Sequence, residues 1–271
     1  MKNINLRIKL GGIILFLLIV ACVLPGQVVS PAPTIDQRLV ETSIAGTVQV
    51  AGTQTAAVQI VVTETPGGMT GTAIEQAQDG TTKYTDYDAG FEIIFAAGWV
   101  AVRPNSDEFN AFLANEGAVN SMLHDQMTAD QAGYEANTDR IYSYVLRPDI
   151  QKDVLFGFSK LTWDSEDTIS LDNDTMGKLV QELESPGGIP GFRADVVQLR
   201  EDTNVKLIEV SGRWALGDGQ GGSIPFYSTV IFFKPSSDSL VRLTFTYLRD
   251  YQAQISVDVK SIIGSIKLIE P

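Results

Sequence analysis

The pattern of hydrophobic and polar positions from residue 84 onward predicts alternating strands and helices. Residues 91–95 alternate between apolar and polar, which predicts a strand, and residues 98–102 are predicted to be its hairpin partner across a short turn. Apolar residues at steps of three and four predict a helix over about 106–128, with a break near Gly117. Two more strands are predicted around 141–146 and 154–162.

The second half continues the same mixture. A helix is predicted to begin at Asp172 or Asn173, either of which can serve as its N-cap, and to end before Pro186. Predicted elements after it are strands at 194–200, 205–214, 224–234 and 240–247, a helix over about 249–263, and a closing strand at 265–269. Short connections between successive strands indicate antiparallel neighbours. The pattern therefore predicts an α+β fold in which helices cover a central antiparallel sheet.

Composition divides the chain before this pattern begins. Residues 23–83 contain no aromatic side chain, whereas all but one of the aromatic residues of the chain lie in 84–271. A segment without large side chains buries too little apolar area to offset the entropy of ordering it. We therefore predict a low-complexity tether over 22–83 and one domain over 84–271.

The tether contains one regular pattern. Apolar and threonine residues recur at heptad spacing between residues 42 and 63, which would suit a short coiled coil near the membrane. The glycines Gly46 and Gly52 disfavour a helix, and no pairs of opposite charges flank the repeat. A flexible or weakly helical linker is therefore the preferred interpretation, with the coiled coil as the alternative.

The N-terminus has the features of an export signal. Basic residues at Lys2, Arg7 and Lys9 precede an uncharged apolar run over 10–21. The run ends in Ile19-Val20-Ala21-Cys22, which resembles the bacterial lipobox. That resemblance implies removal of a signal peptide over 1–21, acylation of Cys22, and attachment to membrane lipid at the extracytoplasmic face. An uncleaved membrane anchor is the alternative, because no charge follows until Asp36.

Charge and residue counts exclude several functions. Asp and Glu number 33 against 20 Lys and Arg, a formal net charge of −13, so the chain lacks the basic surface that nucleic acids require. One Cys and one His exclude an internal disulfide framework and a multi-histidine metal site. The phosphate-binding loop, nucleophile-elbow and zinc-protease motifs do not occur. We predict no catalytic residue, no cofactor and no metal ligand.

Four groups of residues are candidates for chemistry. His124, with Asp125 beside it, is expected to face solvent at the end of a helix, where an imidazolium would suit the helix dipole. Trp99, Trp163 and Trp214 would line a ligand cleft if they converged, although tryptophans in strands usually belong to the core. The glycine-rich segment 217–222 joins two predicted strands and is expected to be a hairpin turn.

An acidic stretch is the fourth group. Its members are Asp164, Glu166, Asp167, Asp172, Asn173 and Asp174. Counted from Asp172, a calcium loop would need oxygen ligands where Met176 and Leu183 stand. Capping of the following helix therefore explains these charges better than a calcium site.

Both ends of the predicted domain resemble PsbP-like domains. The segment from Gly90 to Trp99 resembles the opening Gly-Phe strand and Gly-Trp turn, although Ala96 stands where the family usually has Pro. Phe245, Tyr251 and residues 264–268 resemble the aromatic strand, the C-terminal helix and the final Ser-x-Lys strand. The resemblance implies an α/β/α sandwich around an antiparallel sheet, used mostly as a binding or assembly module without a shared active site.

Three functions follow as expectations. The first is a membrane-anchored extracytoplasmic lipoprotein whose domain binds a protein partner or stabilises a complex without catalysis. The alternative is a lipoprotein that binds a small ligand or a metal ion such as calcium. A third is a hydrolase that uses carboxylates, which would require two acids facing each other in one cleft, one of them with a raised pKa.

Overall fold

The computed structural model describes residues 70–146, 155–217 and 222–269. The predicted signal peptide, Cys22 and most of the predicted tether lie outside these residues. Within the described part of the chain, no helix has both the length and the apolar character needed to cross a membrane.

Two antiparallel sheets run through the described residues. The small sheet has four strands in the order β1-β2-β3-β11, and the large sheet has seven in the order β4-β5-β6-β10-β9-β8-β7. The strands are β1 (Thr72–Gln76), β2 (Thr82–Asp86), β3 (Phe91–Phe95), β4 (Trp99–Val102), β5 (Asp139–Leu146), β6 (Leu155–Asp164), β7 (Arg193–Arg200), β8 (Leu207–Gly217), β9 (Ser223–Phe233), β10 (Leu240–Leu248) and β11 (Lys267–Leu268).

Helices fill the connections. They are α1 (Asp107–Phe112), a π-helical turn (Leu113–Gly117), α2 (Ser121–Ala132), α3 (Asn173–Glu184), a 3-10 turn (Arg249–Tyr251) and α4 (Gln252–Ser265). The predicted break at Gly117 is confirmed, because the π-helical turn ends there. Asp172 is the N-cap of α3, as one of the two predicted candidates, and accepts a hydrogen bond from the Thr175 N–H.

The large sheet is buried on both faces, which makes it the centre of the layered structure. On one face, Val241, Leu243 and Phe245 of β10 share a core with the small sheet and with Ile255 and Ile262 of α4. The opposite face carries two further apolar clusters. One lies under α3 and the other under α1 and α2. The predicted fold class, an antiparallel sheet covered by helices, is therefore confirmed, and the small sheet is an addition to it.

The predicted hairpin between 91–95 and 98–102 is wrong, although both segments are strands. β3 pairs with β2 on one edge and with β11 on the other, so neither edge remains for β4. β4 instead pairs with β5 in the large sheet. The turn between them, closed by a hydrogen bond from the Trp99 N–H to the Ala96 carbonyl (3.1 Å), carries the chain from one sheet to the other.

Two described strands also precede or include Tyr84, where composition placed the domain boundary. β1 and the first residues of β2 precede that position, and Ile74 of β1 is buried in the core between the two sheets. These strands are rich in threonine, which favours extended backbone but adds little apolar area. The composition of the segment therefore concealed them.

Candidate functional site

A cleft of about 270 Å³ opens on the face of the large sheet that carries α3. The end of β6, the start of β10 and the helix α3 form its sides, and the loop after α2 closes it. Its apolar lining consists of Trp163, Ile169, Leu179, Phe232 and Leu240, and its polar lining of Glu135, Thr138, Thr162, Asp164, Asp167, Glu182 and Arg242. The antiparallel register brings these residues together, since Arg242 lies opposite both Thr162 and Phe232.

Arg242 is the only basic residue among those that line the cleft. Its guanidinium carbon lies 5.8 Å from the centre of the Phe232 ring, and its Nη1 lies 3.5 Å from Oε1 of Glu182. Burial lowers the pKa of Arg242, and the charge of Glu182 opposes that effect. The guanidinium therefore lies half-buried on an aromatic surface, with one carboxylate at the limit of hydrogen-bonding distance.

Two acidic residues of the cleft shape the loop between β6 and α3. Oδ1 of Asp164 accepts a hydrogen bond from the Glu166 N–H (2.9 Å), and Oδ1 of Asp167 accepts one from the Ile169 N–H (2.8 Å). Lys234 holds the same loop by donating to the carbonyls of Asp167 and Ile169. The loop therefore uses its carboxylates for local turns, as the capping interpretation predicts.

The acidic stretch does not converge on a common point. Among the residues that the structure describes, no group of three or more His, Cys, Asp or Glu side chains could hold a metal ion. Asp172 is engaged in capping α3 at 2.8 Å from the Thr175 N–H, and this hydrogen bond is the main cause that lowers the pKa of Asp172. Nothing in this loop therefore favours calcium over capping.

The buried carboxylates lie elsewhere and are bonded to the protein itself. Asp86 of β2 accepts hydrogen bonds from the Tyr84 hydroxyl (2.9 Å) and the Ala89 N–H (2.9 Å), and its Oδ2 lies 3.6 Å from Nε of Arg140. Burial is the largest cause that raises the pKa of Asp86. The guanidinium of Arg140 lies 4.3 Å above the Trp163 ring, so this cluster joins the small sheet to β5 and β6.

A second buried network fixes α2 to the large sheet. Asp139 accepts a hydrogen bond from the Tyr142 hydroxyl (2.6 Å) and forms an ion pair with Lys160 (2.9 Å). Asp130 of α2 accepts a hydrogen bond from the Tyr144 hydroxyl (2.7 Å). Burial raises the pKa of the Asp130 carboxyl and that of the Tyr144 hydroxyl. Neither Asp130 nor Asp86 lines the cleft. The described carboxylates whose pKa is raised by burial therefore lie outside the cleft.

His124 faces solvent, as expected, but not at the predicted place in its helix. It lies near the beginning of α2, with its side chain about half exposed and Nδ1 3.7 Å from Asp125. The helix that carries it begins at Ser121 and continues to Ala132, beyond the predicted end near residue 128. The proposed stabilisation of an imidazolium by the helix C-terminus is therefore wrong.

The three tryptophans do not share a cleft. Trp99 is buried in the core between the sheets and donates to Asp258 (3.3 Å), as the core interpretation predicts. Trp163 borders the cleft, whereas Trp214 stacks on Phe226 and packs against the cluster under α3. β8 and β9 pair as a hairpin up to Gly217 and Ser223, so the glycine-rich segment joins two paired strands as expected, but residues 218–221 lie outside the described residues.

Arg242 was missed in the sequence because it appears there only as a polar residue of an alternating strand. The sequence shows a charged residue between Val241 and Leu243. It does not show that Phe232 and Glu182 lie beside that residue, because they belong to other elements. Cys22, the predicted lipidation site, lies outside the described residues.

No family model and no curated protein matches this sequence. Solved structures do show similarity. A cyanobacterial PsbP from Synechocystis is 10% identical over 76% of this chain and 98% of its own, with a TM-score of 0.44. LpqN of Mycobacterium tuberculosis, described as involved in cell envelope biogenesis, is 10% identical over 73% of this chain and 91% of its own, with a TM-score of 0.40. A PsbP structure is thus among the solved structures similar to this chain.

Proposed function

We propose that this protein is an extracytoplasmic lipoprotein, held at the cell membrane by acylated Cys22, whose domain binds a protein partner at the cleft without catalysis. The observation that carries the proposal is the lining of the cleft. It combines an apolar floor, an acidic rim and a half-buried arginine over Phe232. Aromatic residues and arginine are enriched in protein interfaces, and polar rims surround their apolar centres.

The charge of the cleft, more than its size, supports a protein partner. Its volume of about 270 Å³ lies near the lower end of the range of about 300–1,000 Å³ that is usual for ligand pockets and leaves room for one or two inserted side chains. The rim carries Glu135, Asp164, Asp167 and Glu182 against Arg242. A partner that presents an apolar side chain beside positively charged ones would complement this lining.

The non-catalytic part of the proposal is supported by the engagement of the buried carboxylates. Asp86 and Asp139 each accept a tyrosine hydroxyl and lie against a basic side chain. These contacts fix the positions of strands and helices. A general acid or base would instead need an oxygen free to reach a substrate.

The test uses the full-length protein in its native membrane. A photo-activated cross-linking residue replaces Asp164 at the exposed rim, and a control replaces Lys260 on the exposed side of α4. We expect a discrete protein adduct from position 164 and none from position 260. Equal adducts from both positions would contradict specific binding at the cleft.

A pair of matched variants then tests the cleft itself. Thr162→Arg places a long side chain into the cleft, whereas Thr244→Arg places the same side chain on β10, where Thr244 lies opposite Lys160 and does not line the cleft. We expect the first to abolish the adduct and the second to retain it. Cys22→Ala should release the protein from the membrane fraction, and retention there would overturn lipid anchoring.

A further inference from the structure

Arg242, in the cleft, has more hydrogen-bond donors than the described residues satisfy. A guanidinium carries five N–H donors in one plane. Among the described residues, the guanidinium of Arg242 has one polar contact, with Glu182, whose Oε1 lies 3.5 Å from Nη1. The Glu182 side chain is 59% exposed, and an exposed contact at this distance contributes little stability. Arg242 can therefore exchange Glu182 for a closer acceptor.

Lys160 is a basic residue on the same sheet face that does have a close partner. It lies on β6 opposite Thr244, and therefore on the face that carries Arg242 of β10. Its Nζ lies 2.9 Å from Oδ1 of the buried Asp139. The side chain of Arg242 is less exposed than that of Lys160, at 32% against 37%, yet it has no carboxylate at that distance. The less exposed cation thus lacks a close partner, and a group bound in the cleft would supply it.

A carboxylate is the acceptor that fits this position. Its two oxygens match the planar guanidinium, which binds carboxylates through two parallel hydrogen bonds. Thr162 lies directly opposite Arg242, and its hydroxyl, which bonds to none of the described residues, provides another donor. A phosphate group would bring more than one negative charge against the acidic residues that line the cleft. The single charge of a carboxylate meets less repulsion there.

The apolar lining indicates which kind of carboxylate enters. Leu240 lies two residues before Arg242 on the same face of β10, at about 7 Å by the rise of a strand. The occupant must therefore carry an apolar side chain within one residue of its carboxylate. The C-terminal residue of a chain has this arrangement, since its α-carboxylate and its side chain share one carbon atom. The loop after α2 closes the cleft, which also favours a chain that ends there over one that passes through.

We propose that the cleft binds the C-terminal residue of a protein partner, with its α-carboxylate on Arg242 and its apolar side chain beside Leu240. This inference rests on the proposed binding at the cleft and specifies which part of the partner enters. The volume of about 270 Å³ leaves room for one such residue. Basic residues that precede the terminus lie at the acidic rim, where opposite charges favour association.

The experiment measures peptide binding to the full-length protein in neutral detergent micelles by fluorescence anisotropy. The first probe is a dye-labelled peptide, Gly-Lys-Lys-Gly-Leu, with a free C-terminal carboxylate, and the second is the same peptide as its C-terminal amide. We expect the free acid to bind about tenfold more tightly than the amide, because only its terminus offers Arg242 two charged oxygens. A third probe, the amide of Gly-Lys-Lys-Glu-Leu, carries its carboxylate on a side chain.

Variants of Arg242 test its part in this preference. Arg242→Gln should reduce the ratio of the two affinities to about one, and Arg242→Lys, which keeps the charge but not the planar donors, should give an intermediate ratio. Arg249→Gln removes the same charge from an exposed residue outside the cleft and should leave the ratio unchanged. A purely structural role of Arg242 would weaken the binding of both peptides equally and keep the ratio of the parent, which would contradict the inference.

The other outcomes separate this inference from the proposed function. Equal binding of acid and amide, or binding of neither, would overturn recognition of a chain terminus, while a specific adduct from position 164 would still support binding at the cleft. Binding of the third probe as tight as that of the free acid would assign Arg242 to an acidic side chain. Acetyl-leucine that displaced the free acid as effectively as unlabelled peptide would assign the cleft to a small carboxylate. Equal adducts from positions 164 and 260 would refute the proposed function and, with it, this inference.

Discussion

This domain contains two sets of aspartates, one buried and one at the surface. Asp86 and Asp139 are buried, and each binds a tyrosine hydroxyl and a basic side chain. Asp164 and Asp172 lie at the surface, and each accepts one backbone N–H from its own loop or helix start. The buried pair connects strands that are distant in sequence, whereas the surface pair shapes only the chain that follows.

The difference shows where acidic chemistry is available in this protein. Displacing a buried carboxylate leaves a basic side chain without its partner, which destabilises the folded state. The contacts of the buried carboxylates are therefore needed for stability. A surface carboxylate that forms a turn still presents one oxygen to solvent, and at the cleft that oxygen is open to a partner. Binding is therefore expected at the rim, and stability in the interior.

The largest effect is expected from Asp86→Ala. The change leaves Arg140, whose side chain is 17% exposed, without a carboxylate and leaves the Tyr84 hydroxyl and the Ala89 N–H unbonded. Breaking a buried pair typically costs about 3–5 kcal/mol, and we expect that loss in the free energy of unfolding measured with urea. Asp164→Ala is the surface control. Equal losses in both variants would refute the distinction between the two sets.

A smaller loss is expected from Asp139→Ala. The Glu135 N–H loses its acceptor, but the Tyr142 hydroxyl keeps the Asp130 carbonyl (3.3 Å), and Lys160 is 37% exposed and can turn to water. Removing one partner of a buried charged hydrogen bond costs about 1.5–3 kcal/mol. The same urea titration measures it. If Asp139→Ala lowered the free energy of unfolding more than Asp86→Ala does, the exposure of the basic partner would not determine the size of the loss.

Local pattern was sufficient to predict most elements of the large sheet. β7 to β10 are runs of eight or more residues with turn residues between them, and α3 has a cap, an apolar side and a Pro-Gly stop. The limits of such elements are therefore visible in the sequence. Their antiparallel order followed from short connections.

What local pattern could not predict was which edge each strand would meet. β3 and β4 are neighbours in sequence, yet β11, more than 160 residues later, takes the edge beside β3. The same limit applies to the cleft, because Arg242, Phe232 and Glu182 belong to three elements. Their proximity depends on the register of the sheet and the docking of α3, neither of which is encoded in a single segment.

The dependence of stability on pH distinguishes the buried Asp86 and Asp130 from the surface Asp172 and Asp202 by its sign. Burial raises the pKa of Asp130 and of Asp86, so the folded protein binds more protons than the unfolded chain between the unfolded and the folded pKa. The contribution of these groups to stability therefore falls as pH rises through the folded pKa. Surface carboxyls with a lowered pKa, such as Asp172 and Asp202, contribute in the opposite direction.

Asp130→Asn isolates one of the interior contributions, because asparagine can still accept the Tyr144 hydroxyl hydrogen bond. We expect the variant to gain stability relative to the parent at neutral pH and to lose that advantage as the solution is made acidic. Urea unfolding at a series of pH values measures the difference. If the variant and the parent differed in stability by the same amount at every pH, the pKa of Asp130 would be the same in the folded and unfolded states, which would contradict this prediction.

The smallest effect is expected from Asp172→Ala, which removes the N-cap of α3. The lost hydrogen bond to the Thr175 N–H should lower the melting temperature slightly at neutral pH. Because the pKa of Asp172 is lowered in the folded state, the difference from the parent should vanish as pH falls through that pKa. Asp174→Ala, in the first turn of the same helix, is the control for loss of charge without loss of the cap.

The same variant separates capping from calcium binding. Glu182 and Leu179 lie further along α3, where the cleft is, so fraying of its first turn should leave the cross-linked adduct from position 164 intact. Calcium should shift the melting temperature of neither protein, since a cap oxygen that accepts a backbone N–H explains the position of Asp172. A calcium-dependent increase in the parent that Asp172→Ala removes would instead make this loop a binding site, and the contrast between interior and surface carboxylates would have to include a metal.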